Sequence, residues 1–237
     1  MPFDFISGEI LLIDKPLTWT SFDVVNKIRK LLRQKAGIPK IKVGHAGTLD
    51  PMATGLLILC TGKMTKKIQE LTGFDKEYTG TFFFGATTPS LDSETPVSDT
   101  FPVDHLTPQI LLDAAKNLTG TIDQIPPDYS AKFIDGKRAY KLARKNREII
   151  LQPVRVTIHE FEITRISLPE VDFRISSSKG TYIRALARDF GKAAGSGAYL
   201  SSLRRTKIGE YHVRDAISVE QFEALLDSLT NQSLIQL

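Results

Sequence analysis

The sequence predicts an α+β fold, with one mixed, largely antiparallel sheet flanked by helices. Three observations carry that expectation. Val154–Ile163 and Val171–Ile175 alternate apolar and polar residues with the period of a half-buried strand, and only a short turn containing Pro169 separates them, as in an antiparallel pair. Val24, Val25, Ile28, Leu31 and Leu32, and again Ile110, Leu111, Ala114, Ala115 and Leu118, recur at the spacing that puts apolar groups on one helix face. The unbroken apolar run Leu56 to Cys60 fits a strand covered on both sides.

In chain order, Gly8–Ile13 reads as a short apolar strand ended by Asp14-Lys15-Pro16. Thr18, Thr20 and Ser21 then offer N-caps for a helix from about Phe22 to Arg33. A loop from Lys42 to Gly55 leads into the buried strand, followed by a helix near Met64–Leu71 closed by Gly73. The β-branched and aromatic residues of Glu77–Gly85 mark another strand. Residues 86–105, rich in Pro, Thr, Ser and acids, predict an exposed loop. Thr107 and Pro108 cap a helix through Leu118, with Gly120 as its stop. Ile125-Pro-Pro-Asp-Tyr-Ser-Ala131 excludes regular structure, and Thr181 is placed to cap a helix reaching Ala194. Leu200–Gly209 leads to a strand around Tyr211–Val213, and Ser218 with Gln221 forms a capping box for a last helix. No repeat and no long linker divides the chain, so it is read as one domain over 1–237 with an insertion lobe near 125–151.

At 237 residues and 41% hydrophobic content the chain can bury a substantial core, which excludes a disordered protein. Its one cysteine, Cys60, lies inside an apolar run and suits a reducing cytoplasm. No basic-then-apolar leader and no membrane-length apolar run occurs, so the expectation is a soluble cytoplasmic protein. The four histidines, at 45, 105, 159 and 212, are scattered, and no zinc spacing can be written. A metal site is not expected.

Two stretches carry chemistry. Lys42 to Gly55 reads Lys-Val-Gly-His-Ala-Gly-Thr-Leu-Asp-Pro-Met-Ala-Thr-Gly. Pro51 pushes Asp50 into extended backbone, and glycines 44, 47 and 55 allow positive φ or close approach of another chain, so a stiff loop presents the carboxylate. An Asx turn bonding its own backbone is the plainer alternative. Lys132–Arg147 holds seven basic residues against one acid in sixteen positions, interleaved with Phe133 and Tyr140. That imbalance argues against pairing along a helix and for a polyanion-binding surface. A third stretch, Lys179-Gly-Thr, offers an ammonium and backbone N–H groups to an anion at a helix start; Arg184 and Arg188 fall on one face of that helix, where a surface arginine stripe is the plainer reading.

These stretches, together with Lys-Glu-Tyr at 76–78, Pro-Asp-Tyr-Ser-Ala at 127–131, Lys-Gly-Thr-Tyr-Ile-Arg at 179–184 and Leu-Arg-Arg at 203–205, resemble the bacterial tRNA pseudouridine synthase B family from about Gly8 to Leu229. The resemblance implies isomerisation of uridine 55 in the tRNA T-loop to pseudouridine, and the pseudouridine synthase fold with a thumb-like insertion. It places the catalytic aspartate on Asp50, the active-site tyrosine on Tyr182 and the arginine that pairs with the aspartate on Arg184. It puts the tyrosine that stacks on the uracil on Tyr78, the histidine that helps hold the flipped T-loop on His45, and an apolar wall of the uracil pocket on Leu203. The basic lobe then supplies RNA contacts through Lys137, Lys141 and Arg144, with Lys179 as a further phosphate contact. Most bacterial members continue into a small β-rich RNA-binding domain, which the resemblance leads one to expect is absent from this sequence. The partner implied is tRNA, with no membrane, no required protein partner and a monomeric state.

The chemistry fits those residue types. Moving C1′ from N1 to C5 of uracil needs no redox agent, so no cofactor is implied, and a carboxylate can trap or stabilise the sugar carbon or add to the base. Attack at C1′, attack at C6 and a glycal route all remain open. Two other readings stand beside the synthase. One is a non-catalytic RNA-binding or tRNA-folding protein. The other is a nucleoside or glycoside hydrolase, for which a second carboxylate is wanted; the next acid after Asp50 along the chain is Glu70.

Overall fold

The computed structural model describes residues 3–128, 133–134, 137–138 and 151–235. In chain order these form β1 (Ile10–Lys15), α1 (Ser21–Lys35), β2 (Val43–His45), β3 (Ala53–Thr61), a 3-10 turn (Gly62–Lys67), α2 (Ile68–Thr72), β4 (Lys76–Phe84), β5 (Ala86–Thr87), β6 (Asp99–Thr100), α3 (Pro108–Asn117) and β7 (Gly120–Gln124). After them come β8 (Phe133–Ile134), β9 (Lys137–Arg138), β10 (Val154–Ser167), β11 (Glu170–Ser177), α4 (Ile183–Ala193), β12 (Ala198–Ile208), β13 (Tyr211–His212) and α5 (Val219–Ile235). The predicted α+β class holds: each strand pairing whose register follows is antiparallel, and helices flank the strands. The chain divides into two compact units, Met1–Glu77 with Arg204–Leu237, and Tyr78–Leu203.

In the first unit the order is β1, β3, β12, with β2 also on β3 and β13 on β12. β1 runs antiparallel to β3, Ile10 opposite Cys60 and Lys15 opposite Gly55. The run at 56–60 is apolar throughout because β3 is covered on both faces. Leu57 and Leu59 face a core shared with Ile13, Val24, Ile28, Leu32, Phe222 and Leu226, while Leu56, Ile58 and Cys60 pack with Leu71 and Ile208. Thr20 caps α1 in a reciprocal capping box with Asp23, so of the three candidate caps the middle one is used. The Ser218–Gln221 box forms as expected. The helix anticipated at 64–71 is instead a 3-10 turn running into five α residues.

In the second unit the order is β12, β4, β11, β10, β7. β10 and β11 pair antiparallel as predicted, Phe161 opposite Ile175. Phe82 stacks on Phe173 with ring centroids 4.1 Å apart, and Phe84 and Phe161 meet Phe190 of α4 edge-on at 5.1 and 5.0 Å. That aromatic cluster fixes α4 against the strands. Residues 86–105 are not uniformly exposed: Thr88, Ser90 and Asp92 are buried. Thr181 does not cap α4; its hydroxyl donates to the Ser178 carbonyl, and Tyr182 is the N-cap. Residues 198–208, expected only to lead into a strand around 211–213, themselves form β12, an interior strand hidden by its polar sequence, while the expected strand shrinks to the two residues of β13.

Candidate active site

Asp50 sits in the first unit on the turn between β2 and β3, half-buried. Side chains and backbone groups together hold that turn along most of its length. Ser21 Oγ, 2% exposed, accepts from the Leu49 N–H at 2.8 Å and donates to the Leu49 carbonyl at 3.0 Å. The Thr18 N–H donates to the Pro51 carbonyl at 2.8 Å, and the Ala53 N–H to the Asp50 carbonyl at 3.1 Å. Beneath the turn, Arg205 spreads its guanidinium over three carbonyls: Nε to Leu56 at 2.8 Å, Nη1 to Thr48 and Nη2 to Gly47, both at 3.2 Å. Gly47 and Gly55 take φ of +100° and +106°, and a Cβ on Gly55 would run into the Arg205 carbonyl oxygen. The expected positive φ is therefore found at 47 and 55, whereas Gly44 lies in β2 outside that region and meets the close-approach expectation instead, since a Cβ there would come 2.7 Å from Ile68 Cδ1.

Lys15 ends β1 under the same turn with no exposed surface. Its ammonium donates to the carbonyls of Trp19 at 2.7 Å, Pro16 at 2.8 Å and Pro51 at 3.5 Å. Burial pulls its pKa down to about 8 and the Arg205 charge adds to this, while the Asp50 carboxylate pulls the other way. His45, in β2, has its pKa lowered by burial and then by Arg205, so the imidazole is neutral at pH 7. Arg204 forks onto Asp14 at 2.6 and 3.1 Å, and also reaches Thr54 at 3.3 Å. A cavity of about 320 Å³ in this unit is lined by Lys40, Lys42, Lys63 and Lys66.

The other predicted residues lie in the second unit. Tyr78 is in β4 and Leu203 in β12, each 8% exposed. Tyr182 precedes α4, where Gln124, 1% exposed, grips its backbone from both sides: the Tyr182 N–H donates to Gln124 Oε1 at 2.9 Å and Gln124 Nε2 to the Tyr182 carbonyl at 3.2 Å. Arg184 is 5% exposed, so it is no surface arginine. Its Nη1 donates to the Ser90 carbonyl at 3.1 Å, and its Nε lies 3.5 Å from Asp92 Oδ2. Arg188, one turn on, bonds Asp189 and the Ile125 carbonyl, both at 2.9 Å. Lys179 is exposed. Of the lobe contacts, Lys137 is placed in its backbone pairing with Ile134, while Lys141 and Arg144 lie outside the described residues.

Five supporting residues escaped the sequence reading: Lys15, Ser21 and Arg205 in the first unit, Asp92 and Gln124 in the second. Asp92 sits in what reads as a polar loop, and Lys15 reads as the end of a strand. Only Arg205 carried a signal, in Leu-Arg-Arg.

The α+β fold is that of the pseudouridine synthases. Two solved structures share the fold. One is a Cbf5-Nop10-Gar1 complex (TM-score 0.68, 26% identity over 93% of this chain), the other an H/ACA RNP bound to a substrate RNA containing 2'-deoxyuridine (TM-score 0.67, 25% over 93%). This chain spans 54% of each of those chains. The chain belongs to the TruB family of pseudouridylate synthases: the N-terminal domain model of that family matches residues 29–183, and a tRNA pseudouridylate synthase B C-terminal domain model matches 184–236. Proteins called tRNA pseudouridine synthase B are 57% identical in Flavobacterium johnsoniae (95% of this chain, 99% of that one) and 50% identical in Phocaeicola vulgatus (98% and 99%).

Proposed function

We propose that this chain is a tRNA pseudouridine synthase that isomerises uridine 55 of the T-loop, with Asp50 as its catalytic carboxylate. The observation that carries the reading is the 57% identity to a tRNA pseudouridine synthase B along 95% of the chain, together with an aspartate loop held by hydrogen bonds on both sides of Asp50. The reaction balances within the substrate: the N1–C1′ bond breaks, a C5–C1′ bond forms, C5 loses a proton and N1 gains one. Asp50 stabilises or traps the electron-poor sugar carbon, or adds to the base, and Tyr182 takes the proton. The resemblance assigns Arg184 as the arginine that partners the catalytic aspartate, a role suited to a guanidinium, which can hold both carboxylate oxygens where an ammonium would hold one.

The uridine must leave its stack, at a cost of about a few kcal/mol, and one aromatic platform returns about 1–3 kcal/mol. Tyr78 is that platform and Leu203 a wall of the pocket. His45, neutral, can fill the vacated space without placing a charge against the bases. Backbone contacts from Lys137, Lys141, Arg144, Lys179 and the lysine-lined cavity supply the remainder. Release of tritium from C5-labelled uridine in an unmodified tRNA transcript tests the reading. Wild-type protein releases it; Asp50→Asn binds the transcript and releases none. Free uracil among the products would indicate a hydrolase. Activity surviving in Asp50→Asn would remove Asp50 from the chemistry.

A further inference from the structure

Arg205 is among the largest fully buried side chains, 1% exposed, and it sits on an interior strand rather than in a loop. A buried guanidinium is costly unless its donors are satisfied. Here the acceptors are backbone carbonyls, and their positions along the chain are informative. Gly47 and Thr48 lie just before Asp50, and Leu56 just after the turn closes. One planar group therefore spans both limbs of the turn that carries the carboxylate. The strand bearing it presses so closely that position 55 admits no side chain. Ser21 and Thr18 hold Leu49 and Pro51, the residues on either side of Asp50.

We infer that Arg205 is a positioning residue for catalysis: its guanidinium sets the height and direction of the Asp50 turn, and so the aim of the carboxylate. The inference rests on Asp50 being the catalytic carboxylate. A lysine cannot replace the fork, because one ammonium cannot reach in-plane acceptors on both limbs. The same buried charge lowers the pKa of neighbouring His45 and Lys15, an independent sign that it acts on the underside of this loop.

The test uses Arg205→Lys and Arg205→Ala in the full chain, with the tritium-release assay under single-turnover conditions at saturating transcript, RNA binding, thermal unfolding and added methylguanidinium. Misplacing a reacting group by roughly an ångström costs about a hundredfold in rate. The expected result is folded Arg205→Lys that binds the transcript within a few-fold of wild type but turns over about a hundredfold more slowly. In Arg205→Ala, methylguanidinium restores part of the rate and leaves RNA affinity unchanged. Wild-type rate in Arg205→Lys would overturn the inference, as would a loss confined to RNA affinity. So would failure of both variants to fold, since Arg205 would then be a folding residue. An inactive wild-type protein would instead refute the synthase reading, so the two failures are distinct.

Discussion

Lys15 is an ammonium with no exposed surface, held by three carbonyls and close enough to Asp50 to feel its charge. Burial has lowered its pKa to about 8, against 10.5 for an exposed lysine. Between those values the unfolded chain binds a proton that the folded chain has shed, so stability from this group rises with pH across that window and is flat below it. Lys15→Met removes the titration and leaves the Trp19 and Pro16 carbonyls without their donor, at a cost of about 1–3 kcal/mol each. Urea unfolding at pH 7 to 10 should show wild type gaining on Lys15→Met above pH 8. A gap that narrows instead would mean that the carbonyls and Asp50 outweigh burial. At this scale the sequence was legible where local chemistry decides: Pro51 and the glycines marked a tight turn around Asp50, and that turn forms. The sequence showed no sign that Lys15, Arg205 and Asp92 are buried, because a charged side chain looks solvated until distant segments bury it.

Helix caps and alternating strands came through well, since Thr20, Thr107 and Ser218 act on their own first turns. Elements whose ends are held by tertiary partners did not. Tyr182 has no side-chain cap of its own; Gln124, at the end of β7, stands in from 58 positions away and satisfies its N–H and carbonyl together. The start of α4, which positions Tyr182 and Arg184, thus depends on a residue that no local pattern reveals. Gln124→Met keeps the bulk and loses both bonds, and should cost about 1–3 kcal/mol in denaturant unfolding. Turnover should fall with transcript affinity retained, because the tyrosine and arginine lose their register rather than the RNA its contacts. Gln124→Glu, which keeps the acceptor, should lie between. Full activity in Gln124→Met would show that packing around Phe190 alone fixes the helix start.

Across the whole molecule the formal charge is only +4, yet residues 132–147 alone carry seven cations against one anion. The rest of the chain is therefore close to neutral, and much of it is internally balanced. Arg165 is paired with Asp172 and Glu170, Arg174 with Glu160 and Glu162, and Lys27 and Lys35 with Glu223. Affinity for a polyanion then has to come from a few concentrated sites, the basic stretch above all. Each cation that neutralises a duplex phosphate contributes about 0.9 to the slope of log K against log salt. Replacing Lys137, Lys141 and Arg144 together by glutamine should flatten that slope by about 2 to 3, while the single-turnover rate at saturating transcript and the unfolding temperature stay close to wild type. Loss of rate with an unaltered slope would place these residues in the chemistry rather than in RNA binding. An unaltered slope with unaltered rate would move the phosphate contacts elsewhere, with the cavity of Lys40, Lys42, Lys63 and Lys66 the next group to neutralise.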